Sequence, residues 1–183
     1  MIDRFSQCIV ENCRMLPTSA YVWLGGVLCL GTVLLWAFMG FRKGARWAAG
    51  LLLVEYLFWI YCMTVISRDV QMTRSFNLTP FWSYRAIRAG DPLLLVQDIM
   101  NVVAFIPMGL LLGYVFDRMK WWQVLLIGLA LSMGIEALQF VLMRGFAEFD
   151  DVFHNTLGCL GGYGVFVGMS HMIEKGNNNL ITI

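Results

Sequence analysis

The sequence predicts an all-α integral membrane protein, a bundle of five transmembrane helices with an N-terminal interfacial helix. Composition is the first reason. Of 183 residues, 59% are hydrophobic and 14% charged, and mean hydropathy is +0.69, whereas a soluble domain carries ~45–50% apolar and ~25% charged residues. Second, five apolar runs approach the ~20 residues that cross a hydrocarbon core of ~30 Å. Third, those runs are continuous, where barrel strands alternate over ~10 residues. The length fits one domain, 1–183. Net charge +1 with no long basic patch excludes nucleic acid as a partner and disorder as a class.

Ile2, Phe5, Ile9, Cys13 and Leu16 recur at spacings of 3 and 4, one face of an amphipathic helix lying on the membrane. Pro17 suits the break after it. The spans follow. Ala20–Phe41 has no charge, and Trp47–Ile66 holds only Glu55. Ile99–Phe116 includes Asn101 and Pro107, and Trp121–Met143 carries Glu136 and Gln139. Val152–Ile173 carries His154 and Asn155 at its start, and about 175–183 reads as a disordered tail. The connections are short and basic at Arg42–Arg46 and Asp117–Lys120, while 67–98 is long and 144–151 is acidic. Lys/Arg counts of six against seven do not orient the chain. The density of basic residues in the short turns places those turns and Lys175 in the cytoplasm and the N-terminus outside. The five cysteines show no CxxC or Cys/His spacing and read as apolar filler.

The polar residues gather at the side taken as outer. Gly128, Ser132, Glu136 and Gln139 form one stripe on the fourth span, and Asp151, Asn155, Gly158 and Gly162 form one on the fifth. Each stripe is small toward the cytoplasm and polar toward the outside. Packed together, these two helices would make a tight seam leading to a polar pocket. Arg68, Arg74, Asn77 and Asn101 reach the same side, as do Arg144 and the pair Asp150 and Asp151. An ionisable group inside the membrane costs ~2.5–3.5 kcal/mol and is usually functional or paired. The structural alternative for Glu136 is a salt bridge to Arg144 or Arg68. For the aspartates it is helix capping, which accounts for one of them but hardly both. No zinc-type spacing is present and no cofactor is expected, while Glu148, Asp150, Asp151 and His154 lie close enough to leave a weakly held Mg²⁺ or Ca²⁺ as the alternative.

The stretches Ser67-Arg68, Asn77-Leu78-Thr79-Pro80-Phe81 and Asn101–Gly109, followed by Glu136-x-x-Gln139, Arg144 and Asp150-Asp151-x-x-x-Asn155-Thr-Leu-Gly158, resemble the VanZ-like family of bacterial membrane proteins over about 65–165. The chain departs from the family pattern between Arg144 and Asp150, where it has one more residue and Glu148 in place of Asp. The resemblance implies the bacterial plasma membrane and a link to resistance against teicoplanin-type lipoglycopeptides. It implies no settled activity.

Three functions compete. In the first, a binding protein, Arg68, Arg74 and Arg144 hold an anionic headgroup of a lipid-linked cell-wall precursor or an acylated antibiotic. Asn77, Asn101, Gln139 and Asn155 line the site, and the acids orient the arginines or accept from sugar or cationic groups. The second is an intramembrane enzyme with Glu136, Asp150 and Asp151 as catalytic carboxylates. Third comes an ion-coupled transporter, for which no inverted repeat is visible. Membrane lipids are expected partners, and Gly158-xxx-Gly162 and Gly164-xxx-Gly168 permit self-association.

Overall fold

Residues 44–116 and 118–181 are described by the computed structural model, with side chains as far as Lys175. The expected interfacial helix and the span Ala20–Phe41 lie outside the described residues. Helix α1, Ala45–Tyr61, runs on as a π-helical turn, Cys62–Ile66. Strand β1 is Ser75–Asn77 and helix α2 is Trp82–Arg88. Helices α3, Leu93–Val115, and α4, Trp121–Leu142, precede strand β2, Phe146–Glu148, and helix α5, Phe149–Ile181. Among the described residues four stretches are long and apolar enough to cross a membrane: Ala45–Ile66, Leu93–Val115, Trp121–Leu142 and Phe149–Lys175.

Two boundaries differ from expectation. Helix α3 starts at Leu93, ahead of the span expected from Ile99, and runs through the polar residues Gln97 and Asp98 without interruption. Helix α5 starts at Phe149, with Asp150 and Asp151 already in its first turn, and continues to Ile181 through the stretch expected as a tail.

Large apolar residues such as Trp47, Val54, Leu126 and Ile173 are exposed on the outside. The core within, around Ile60, Phe105, Met108, Val124 and Cys159, is apolar too. With apolar surroundings on both sides, close packing must hold the helices together, and glycine supplies it. A Cβ at Gly158 would overlap the Val102 carbonyl, one at Gly162 the Ile106 carbonyl, and one at Gly109 the Cys159 carbonyl. The glycine face of α5 therefore meets α3, not α4 as the stripes suggested. Helix α4 meets the adjoining face, where Gly128 lies against Cys159 and Thr156 and Asn155 Nδ2 donates to Ser132 Oγ at 2.9 Å. Both stripes are buried along their whole length; only the partner of the fifth span's small end was misassigned. Helix α1 is tied to α3 by Tyr56, whose hydroxyl donates to the Ala104 carbonyl at 2.6 Å.

The long 67–98 connection folds back on the 143–148 turn. Strands β1 and β2 pair in parallel, with Ser75 opposite Phe146, Phe76 opposite Ala147 and Asn77 opposite Glu148, and Val70 bridges Arg144 in antiparallel sense. Helix α4 ends at Met143, whose left-handed φ of 54° turns the chain toward β2. This two-stranded ribbon on an otherwise helical molecule joins the two polar connections at one end of the bundle.

Candidate functional site

Asp150 organises that end. It is 0% exposed. One carboxylate oxygen accepts from the Phe81 amide at 2.6 Å, and the other accepts from the Ser83 amide and hydroxyl, both at 2.9 Å. These are the free amides at the start of α2, so Asp150 caps a helix 69 positions away in sequence. The capping expected of one aspartate is real, but the capped helix is α2 rather than α5. Both oxygens of Asp150, one of the three carboxylates expected as catalytic, are thus committed to amides and a hydroxyl that position α2.

A carboxylate cluster lies beside it. Glu136, 7% exposed, accepts the Glu148 amide on Oε2 at 2.9 Å. Glu148 accepts from the Trp82 indole at 2.9 Å, and Asp151 accepts from Asn101 Nδ2 at 2.8 Å. Arg68 is the cation acting on Glu136, Glu148 and Asp151 together. Its guanidinium lies over Gly145, where φ is +99° and any Cβ would strike it. Among the described residues Arg68 makes no ion pair within 4.0 Å. The alternative reading of Glu136, a salt bridge to Arg144 or Arg68, is not seen among the described residues, and Oε2 accepts the Glu148 amide. Burial, followed by repulsion from Asp151, raises the Glu148 carboxyl to about 7.

Asp98, His154 and Tyr84 form a second group. His154 Nδ1 lies 3.5 Å from Asp98 Oδ1, and its Nε2 lies 2.8 Å from the Tyr84 hydroxyl. Burial and the charges of Asp98 and Asp150 push the Tyr84 hydroxyl above its ordinary value, so it stays a neutral donor.

Other expected ligand residues have different partners. Buried Arg144 donates to the carbonyls of Ile66 and Arg68, closing the end of α1, where exposed carbonyls favour a cation. Gln139 Nε2 donates to the Thr64 carbonyl in the π turn at 3.0 Å, and Asn155 spans to Ser132. Asn77 Oδ1 accepts its own turn's Thr79 amide at 3.0 Å. Arg74 is exposed, with its guanidinium carbon 5.9 Å from the centre of the Phe140 ring. The structure thus brings Glu136, Asp151, Asn101 and Arg68 together. It assigns Asp150, Arg144, Gln139 and Asn155 to the scaffold around them and leaves Arg74 and Asn77 at the edge. Fully buried Glu136 Oε1, Asp98 Oδ2 and Gln139 Oε1 have no hydrogen-bond partner.

A family model for VanZ/LLP1 matches residues 51–171, a stretch that contains every candidate site residue. The chain belongs to the VanZ/LLP1 family. It is 36% identical over 104 residues to Protein VanZ of Enterococcus faecium, a match covering 56% of this chain and 59% of that protein. It therefore spans less than two thirds of that relative's length. No solved structure matches the chain.

Within this family member, reading the sequence missed the roles of Trp82, Ser83 and Tyr84, which lie in a stretch taken as loop. It also undervalued Glu148, Asp98 and His154. For Asp98 and His154 a signal existed: each is an ionisable residue next to or inside an apolar run, a position that is costly without a partner. Nothing local marks Ser83 as the recipient of a capping carboxylate.

Proposed function

We propose that this VanZ-family chain is a membrane-embedded binding protein for the polar headgroup of a lipid-linked envelope precursor or an acylated glycopeptide such as teicoplanin. The observation that carries the reading is the set of buried acceptors without partners, Glu136 Oε1, Asp98 Oδ2 and Gln139 Oε1. Glu136 Oε1 belongs to the cluster in which Arg68 acts on Glu136, Glu148 and Asp151, Asp98 Oδ2 to the adjoining group with His154, and Gln139 lies one turn along α4 from Glu136. Unpaired buried acceptors are costly, and a donor-rich ligand relieves that cost. Sugar hydroxyls, amide N–H groups and an ammonium are such donors, and Arg68 is left for an anionic group. An acyl tail would lie against the lipid-facing helices.

The test is binding of teicoplanin, and separately of lipid-linked peptidoglycan precursor, to the full chain in nanodiscs. Glu136→Gln and Arg68→Ala should each weaken binding about tenfold, equivalent to ~1.4 kcal/mol. Failure of both molecules to bind, or wild-type affinity in both variants, would overturn the reading. In the same reading Ala20–Phe41 is a fifth span, the N-terminal amphipathic helix lies on the membrane, and the site opens on the outer face. A reporter fused after Lys175 that proved extracellular would reverse that orientation.

The bond between His154 and Tyr84, with Asp98 3.5 Å from the other ring nitrogen, favours a second reading, acid–base chemistry on the bound headgroup with Glu136 and Asp151 as the carboxylates. A neutral Tyr84 suits hydrogen-bond donation better than nucleophilic attack. Mass spectrometry of envelope lipids incubated with the purified chain decides this: absence of any new product leaves the binding reading alone.

A further inference from the structure

The connection between α1 and α3 presents an apolar surface outside the bundle. Met72 and Leu78 are 101% and 68% exposed, and Phe76 and Phe81 are exposed beside them. Contiguous exposed apolar patches mark interaction surfaces. On α2, Arg85 and Arg88 are exposed one turn apart, and neither lies within 4.0 Å of a carboxylate among the described residues. Nearby Asp91 accepts the Leu93 amide at 3.2 Å at the start of α3. Depth points the same way. Leu93, Leu95 and Val96 in the first turn of α3 are exposed, and Leu93 lies roughly 12 Å beyond Asn101 along the helix axis. Apolar surroundings therefore extend past the level of the acidic cluster to the level of α2, which packs against α3.

We propose that residues 71–88 form a membrane-surface element seated in the lipid headgroup layer. Its apolar side chains reach the acyl boundary, and Arg85 and Arg88 bind the phosphates of anionic phospholipids. Guanidinium matches phosphate bidentately, and basic side chains beside apolar ones suit this layer. This inference is independent of whether the acidic cluster binds an envelope molecule.

The experiment uses the full chain in nanodiscs of phosphatidylcholine with and without phosphatidylglycerol. A fluorescent noncanonical residue at Leu78, and in a second preparation at Met72, is quenched by lipids brominated on the acyl chain or by aqueous iodide. Lipid quenching should dominate at both positions; dominance of iodide at both overturns the seating. Native mass spectrometry then compares retained phosphatidylglycerol in wild type and in Arg85→Gln/Arg88→Gln. Both arginines are exposed, and a thermal melt checks that the variant remains folded. Retention should fall about fivefold per arginine, and unchanged retention overturns the phosphate assignment.

Discussion

From Thr156 toward Lys175, α5 meets α3 by bringing backbone against backbone, with Gly158 and Gly162 set on the carbonyls of Val102 and Ile106. From Thr156 toward Phe149, the same helix meets its neighbours through side chains: Asp150 to α2, Asp151 to α3 and Asn155 to α4. At Gly158 and Gly162 the glycine half tolerates no added atom, but it asks nothing of charge. In the polar half atoms can be exchanged, but every donor and acceptor needs a partner. Sterics fix the first half and valence the second, so the two should fail differently.

The largest effect is expected in the glycine half. Gly158→Leu or Gly162→Leu forces atoms into backbone that cannot rotate away, beyond the ~1–3 kcal/mol usual for overpacking. Monodisperse protein should be lost on size-exclusion in detergent. A well-behaved variant would show that the α3–α5 seam is looser than described.

Next comes Asp150→Ala, which strands the Phe81 and Ser83 amides at about 1–3 kcal/mol for each group left buried and unpaired. Hydrogen exchange should rise across 81–88 and stay low across the α3–α5 seam. Equal loss of protection in both regions would erase the distinction between the halves.

A smaller effect follows from pH. The Glu148 carboxyl is raised from 4.5 to about 7 in the folded chain, by burial first and by Asp151 second. A carboxyl raised on folding favours the folded state fully below its unfolded value, and that contribution is lost as pH climbs through about 7. The difference in melting temperature between wild type and Glu148→Gln should therefore change steadily from pH 4.5 to 7. A constant difference would mean that Glu148 does not titrate in this window. Arg74→Ala is the smallest change, at most ~0.5–1 kcal/mol for an exposed cation over a ring, and a melt should barely register it.

The same division explains what could be read in advance. Both stripes were visible because periodicity reports which face of a helix is buried, and Glu136, Gln139, Asp151 and Asn155 are all buried. Periodicity does not report which helix that face meets, so the glycines were assigned to α4 when they meet α3. Nor does it reach contacts made across long separations. Asp150 to Ser83 and Arg144 to Ile66 depend on two connections folding onto each other. The strands that join those connections have three residues each, too short to leave a period-2 signature. Asp150 and Arg144, expected as a catalytic carboxylate and a ligand-binding cation, both bond backbone groups, and backbone leaves no mark in a sequence.

The parallel ribbon also constrains the order in which the protein is made. Parallel strands require a crossover between them, and between β1 and β2 that crossover contains α2 and two complete membrane spans, α3 and α4. The amides at the start of α2 therefore emerge long before Asp150 exists to receive them, and Glu136 emerges before the Glu148 amide. Until the last helix is inserted, the Phe81 and Ser83 amides lack Asp150 and Asn101 lacks Asp151. Assembly of the site is thus coupled to insertion of α5, and a ribosome that stalls before Phe149 leaves behind an intermediate in which α1, α3 and α4 carry an unfinished polar end.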